Sequence, residues 1–222
     1  MTNNFDIIRT YMENEGIPAA EGKMGDLFFV IMLIRRGKDH PGLPAANYTF
    51  KTYYVDSLEK YDKIKDEIIK CCEMFKLRAY ISINIKSKEK FSQMCAFKFT
   101  QNILNNEYKK PWAVIDHVFG KLTAKNEDRW IIDVDNVKPS VPEHPEDIDP
   151  KLLGIYMAIR KCESRYEDPV IMEIPTRSGV HIITHPFNLK RFKDECSARY
   201  EVIDEIPEAK KNHITLLYEN IC

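Results

Sequence analysis

The chain has 222 residues, of which 44% are hydrophobic and 30% charged, and its formal net charge is -1. That composition excludes a disordered, collagenous or membrane-embedded chain, and the balanced charge does not by itself advertise a polyanionic partner. The length suits one large domain or two small subdomains sharing an interface.

In chain order, Asp6 to Glu15 reads as a helix, and a Gly- and Pro-containing connection runs from Gly16 to Gly25. Leu27 to Ile34 is an apolar run closed by Arg35-Arg36, too short to span a bilayer and suited to a buried strand. A loop from Gly37 to Pro44 breaks it, and Thr49 to Val55 alternates as a second strand. Asp56 or Ser57 can cap the next helix, where Leu58, Tyr61, Ile64, Ile68, Cys72 and Phe75 keep helical spacing. Leu77 to Ile85 returns as a strand, and Ser87 to Leu104 is an amphipathic helix whose stripe of Phe91, Met94, Cys95, Phe97, Lys98 and Ile103 predicts core packing with a solvated edge. The first part, to about residue 110, is thus an α/β unit.

The second part restarts after Lys110-Pro111-Trp112. Arg129 to Asp135 is a strong strand, ended by Asn136 and a Pro-rich acidic loop from Pro139 to Pro150. A helix over Lys151 to Ser164, strands over Val170 to Pro175 and Val180 to Thr184, a short helix over Phe187 to Asp194, and strands over Arg199 to Ile206 and His213 to Leu217 complete the pattern. This order matches a ferredoxin-like, RNA-recognition-type sheet with helices on one face. The expected class is α+β: an N-terminal α/β unit over residues 1–110 packed on an RNA-recognition-like sheet over 111–222.

The six cysteines form no CxxC, so reduced thiols are expected rather than a zinc ribbon or redox pair. Met1 to Asp6 lacks the basic-then-apolar layout of a secretory signal, and a cytoplasmic location is expected.

Asp133 and Asp135 carry the strongest chemical signal. Side chains at i and i+2 share a face of a strand, roughly 7 Å apart at the backbone. Such a pair suits hard cations, and phosphoryl transfer uses paired ions about 4 Å apart to stabilise the attacking and leaving oxygens. The structural alternative is a strand that ends in a polar turn at Asp135-Asn136. An EF-hand reading fails, because Lys138 stands where that loop needs Gly.

A second signal is Arg177-Ser178-Gly179-Val180-His181, a Gly-containing break between two apolar strands. Its amides, hydroxyl, guanidinium and imidazole are the donors that grip a triphosphate. A plain hairpin turn with an incidental histidine is the competing reading. The acidic loop around His144, Glu143, Glu146, Asp147 and Asp149 reads as solvated, as does a turn at Lys210-Lys211.

Together the two signals resemble the catalytic core of the archaeo-eukaryotic primase superfamily, the primase-polymerases. Ile131-Ile132-Asp133-Val134-Asp135 matches the family's acidic strand, Ser178-Gly179-Val180-His181 its nucleotide-binding turn, and Val202-Ile203-Asp204 its third, single-acid motif. The resemblance covers Arg129 to Ile206 and implies a nucleotidyl transferase joining nucleoside triphosphates on a single-stranded nucleic-acid template. Asp133, Asp135 and Asp204 would then hold Mg²⁺ or Mn²⁺, while Arg177, Ser178, Gly179 and His181 would bind the incoming phosphates. Arg78, Lys86 and Lys88 are candidate nucleic-acid contacts outside the family motifs. Asp116, Glu173, Glu201 and Glu205 are rival third acids. A phage or mobile replication module, working with a replication partner protein, would fit such an activity. The other readings are a non-catalytic nucleotide or nucleic-acid module, with Tyr53, Tyr54 and Tyr80 stacking bases, and a metal-dependent nuclease.

Overall fold

A computed structural model describes residues 1–16, 26–40, 42, 46–108, 111–122, 129–140, 148–211 and 213–220. The chain is an α+β protein built on two antiparallel sheets.

The first unit opens with strand β1 (Thr2–Asn3) and helix α1 (Phe5–Tyr11), which continues as a wider turn over Met12–Gly16. Strands β2 (Leu27–Arg36) and β3 (Asn47–Val55) form an antiparallel pair. Helix α2 (Leu58–Phe75) starts at Ser57, whose side chain accepts the Lys60 amide, and stops where Lys76 turns left-handed at φ 51°. Strand β4 (Arg78–Ser82) pairs with β2, and the short β5 (Lys86–Ser87) pairs with the start of β2. Two helices follow, α3 (Lys88–Leu104) and α4 (Pro111–Lys121), packed on each other.

The second unit comprises β6 (Trp130–Asp135), α5 (Pro150–Arg160), β7 (Val170–Pro175), β8 (Gly179–Thr184), α6 (Leu189–Ser197) and β9 (Glu208–Lys211). Its sheet has the order β7-β8-β6-β9, so each helix joins two strands that have a third strand between them. That is the split β-α-β arrangement expected from the sequence. Helix starts are set by local chemistry: Asp149 accepts the Lys151 amide ahead of Pro150, and Asn188 accepts the Lys190 and Arg191 amides.

Alternation along β6 divides its side chains. Ile132 and Val134 face the helices with Val180, Ile182, Leu152, Ile155 and Phe192, all buried. Ile131, Asp133 and Asp135 take the opposite face, together with their cross-strand partners Ile183, His181 and Gly179. There Ile131, Ile174 and Ile183 join the core of the first unit, alongside Phe29, Ile31, Ile81 and Leu217. One face of the second sheet is therefore sealed at its Ile131 end and open at its Asp135 end.

Four expectations change. Arg199–Ile206 is no strand: after α6 the chain turns back on itself, with the Val202 and Ile203 amides bonded to the Arg199 carbonyl, and the fourth strand of the sheet is Glu208–Lys211. The last strand, β10 (Ile214–Glu219), leaves the second sheet and pairs with β4 and β1 in the first. Pro111–Lys121 is a helix lying on α3, so the chain crosses the expected division near residue 110. Helix α3 buries only Asn102, while Phe97 and Ile103 stand 69% and 60% exposed rather than packing in a core. Its aromatic contacts gather at its first turn: Phe91 stacks on Phe119 of α4 at 4.5 Å and meets Phe28 of β2 edge-on at 5.8 Å, and Phe119 stacks on Tyr54 of β3 at 5.4 Å.

Among the described residues no helix is long and apolar enough to cross a membrane. Cys72, Cys162 and Cys196 are buried free thiols, with Cys71 and Cys95 half-buried; burial raises Cys196, like Cys72, to about 12.

Candidate active site

Asp133 sits on β6 directly opposite His181 on β8, and both point away from the helices. Its side chain is 23% exposed, and each oxygen has its own partner. Oδ1 lies 3.3 Å from His181 Nε2, and Oδ2 lies 2.5 Å from Lys210 Nζ. The imidazole is fixed from behind, with Nδ1 2.9 Å from the buried hydroxyl of Thr215 on β10. Asn4 adds a second tie between the sheets, donating from Nδ2 to the carbonyls of Pro175 and Leu216. The hydrogen bond to His181, with that to Lys210, holds the Asp133 carboxyl well below the usual carboxylate range against the opposing effect of burial.

Asp135, one pleat further, is exposed and accepts the Ser178 hydroxyl at 3.0 Å. Gly179 is required beside it. A Cβ there would lie 1.9 Å from the Val134 carbonyl oxygen, so no larger residue fits between the strands. The strand then ends at Asn136, left-handed at φ 60°, whose amide donates to the Ser178 carbonyl. The expected polar turn and the expected acidic pair are thus both present, and they serve one arrangement.

Asp133, Asp135, Ser178, His181, Thr176 and Arg177 line a cleft of about 220 Å³, whose other wall is Arg36, Lys38, Arg78, Tyr80 and Leu216 from the first unit. Arg36 and Lys38 escaped the sequence reading; the only signal was the basic end of the apolar strand at Arg35-Arg36. Burial and then the neighbouring charges of Arg36 and Arg78, with a smaller contribution from Arg177, pull the Lys38 ammonium below its usual range. Several basic side chains thus crowd one end of the cleft.

The remaining candidates fall in different places. Arg78 reaches the cleft but is buried, bidentate to Asp39 at 2.7 and 2.8 Å, with Glu219 at 3.1 Å. Glu219 Oε2 makes no hydrogen bond in this ion pair, so the Arg78–Glu219 attraction is one of charge rather than of hydrogen-bond geometry. Two carboxylates already neutralise this guanidinium, so Arg78 supports the wall rather than offering a free charge. Lys86 is 4% exposed and donates to the Phe119 and Leu122 carbonyls, which removes it from any surface contact. Lys88 pairs with Asp56 at 2.9 Å, away from the cleft. Tyr53 is held by Glu67, and Tyr54 is stacked on Phe119.

Asp204 does not stand on a strand as expected. It lies in the loop after α6 with its side chain 74% exposed and is bound by Lys151 Nζ at 2.6 Å. The same ammonium donates to the Asp135 backbone carbonyl at 3.2 Å, so Lys151 stands between the two acids. Glu173 is not a third acid either; it faces the helices and accepts from Ser140 and from the Tyr156 hydroxyl. The side chain of Asp116 and the loop residues Glu143, His144, Glu146 and Asp147 lie outside the described residues, while Asp149 is the cap of α5.

Lys210 is the largest departure from expectation. Placed in a solvated turn by its sequence neighbours, it belongs to β9 opposite Ile131, on the same face as Asp133. Lys211 takes the other face, with its ammonium 4.7 Å from the Trp130 ring centre.

Among the described residues no three His, Cys, Asp or Glu side chains gather at metal-holding spacing. The donors fit one hard cation at Asp133 and Asp135, on the condition that Lys210 yields; they do not fit the two-ion, three-acid set. No family model matches the sequence, and no curated protein or solved structure matches it either.

Proposed function

We propose that the cleft binds a nucleoside triphosphate and that the chain is a small nucleotidyl transferase resembling the primase-polymerases, acting on a nucleic-acid strand. The observation that supports this is the meeting of two charge sets in one cleft: the cations Arg36, Lys38 and Arg177, and the acids Asp133 and Asp135. Phosphates need the first set, and a reacting hydroxyl beside a hard cation needs the second.

In this reading Arg177, Lys38 and Arg36 hold the triphosphate, and the Ser178 hydroxyl, anchored on Asp135, fixes the turn that presents Arg177. His181 is braced by Thr215 and orients Asp133. Asp133 and Asp135 would hold Mg²⁺ or Mn²⁺, which when bound would neutralise charge on the triphosphate. The attacking hydroxyl gives its proton to solvent water as its oxygen joins the α-phosphorus, the bond from that phosphorus to the bridging oxygen breaks, and pyrophosphate leaves. The fixed cations on the first unit's wall stabilise the charge that gathers on the leaving group.

The test is template-dependent incorporation of a labelled nucleotide by pure protein with Mg²⁺ or Mn²⁺, alongside calorimetric titration with a nucleoside triphosphate. Strand cleavage without incorporation would point to nuclease chemistry instead. A second reading, nucleotide binding without transfer, is favoured by one specific feature: Lys210 already neutralises Asp133, and Lys151 binds Asp204. Triphosphate binding by a wild-type protein that incorporates no nucleotide with either metal would select it.

A further inference from the structure

We propose that Lys210 is the resident counter-cation of Asp133, and that a divalent cation enters the cleft only by displacing its ammonium. This rests on the reading of the cleft as a cation-assisted nucleotide site and adds a residue that the resemblance does not include.

Three observations carry it. First, the register of β9 against β6 sets Lys210 opposite Ile131, on the Asp133 face, and the ammonium reaches Asp133 Oδ2 at 2.5 Å. Second, the other carboxylate oxygen faces His181, so both oxygens are in use and the carboxylate is electrically satisfied. A divalent ion at Asp133 and Asp135 would stand beside an ammonium in a partly enclosed site, where like charges repel far more than in water. Third, Lys210 has somewhere to go. Glu208, two residues back on the same strand and 75% exposed, has Oε2 3.6 Å from the same ammonium. The lysine can swing from Asp133 to Glu208 without leaving a bare charge behind.

In the cation-free state Lys210 and His181 share the Asp133 carboxylate between them. With a cation present, Glu208 receives the ammonium. The arrangement makes cation affinity a difference between two ion pairs and sets a threshold concentration below which Lys210 keeps the site closed.

Isothermal titration of the full chain with Mn²⁺ alone tests this, with circular dichroism confirming that each variant is folded. Lys210→Met removes the competitor and is expected to tighten Mn²⁺ binding about ten-fold. Lys210→Arg keeps the charge, grips the carboxylate with two N–H groups and is expected to weaken binding several-fold. Glu208→Gln leaves Asp133 untouched but removes the refuge and is also expected to weaken it; this variant serves if Lys210→Met does not fold. Affinity that is unchanged or weaker in Lys210→Met, while Asp133→Asn still abolishes binding, overturns the competition and leaves the nucleotide reading standing. Absence of Mn²⁺ binding in both wild type and Lys210→Met overturns the proposal as well, whereas the nucleotide reading is judged separately by titration with triphosphate.

Discussion

His181 Nε2 stands 3.3 Å from Asp133 Oδ1 across paired positions of two strands, and Thr215 from the other sheet holds the far nitrogen of the same ring. The acid is thus positioned by both halves of the fold, and its charge state is tied to their junction.

That tie predicts an acid-sensitive contribution to stability. The folded state lowers the Asp133 pKa, so its stabilisation is complete above the ordinary carboxylate value near 4 and is lost as the pH falls through the lower folded value. Asp133→Asn should cost about 2 kcal/mol at pH 7, because it weakens two charged hydrogen bonds. The gap in thermal midpoint between wild type and variant should narrow steadily below pH 4. A gap that is constant from pH 7 to pH 2.5 would show that the carboxylate is not engaged in this way.

The buried Arg78 ion group is structural. Arg78→Met leaves Asp39 and Glu219 facing each other without a cation, and should lower unfolding free energy in urea by about 3–5 kcal/mol. Replacing all three by apolar residues should recover part of that loss, because the cost lies in the uncompensated charges.

Gly179→Ala should destabilise by about 3 kcal/mol, since its Cβ cannot coexist with the Val134 carbonyl unless β6 and β8 separate. Separation at that point moves Ser178 off Asp135, so triphosphate affinity should fall in the same variant. Equal denaturant midpoints for variant and wild type would contradict the close approach.

Among the cations of the cleft, Arg36→Ala and Arg177→Ala should each weaken triphosphate binding about ten-fold, with a shallower salt dependence than wild type. Lys65→Ala, on α2 and paired with Asp6, should leave it unchanged. Calorimetry at two salt concentrations gives both numbers.

Much of the second unit was legible because its signals are periodic and local. The alternation in Ile131-Ile132-Asp133-Val134-Asp135 assigns faces without knowledge of the partner strands, and the same holds for His181 against Ile182. Val202, Ile203 and Ile206 misled for the same reason: they look β-like. Only Ile203 is buried, however, and Gly154 on α5 leaves the room that it and Val202 fill. Lys210 and the Arg36–Lys38 wall depend on pairings between segments far apart in the chain, which no local pattern encodes. Helix α3 misled in the opposite sense, since Phe91, Met94 and Cys95 of its apolar stripe are only half-buried and Phe97 and Ile103 meet solvent.

The central claim is that Asp133 and Asp135 drive nucleotidyl transfer in the cleft they share with Arg177. The most direct measurement is incorporation of a labelled nucleoside triphosphate on a primed single-stranded template with Mn²⁺, comparing wild type, Asp133→Ala and Asp135→Ala. The account predicts incorporation by the wild type and a loss on the order of 100-fold or more in each variant, with triphosphate binding to the basic wall retained. Incorporation undiminished in both variants, or none by a wild-type protein that binds the triphosphate, would contradict it.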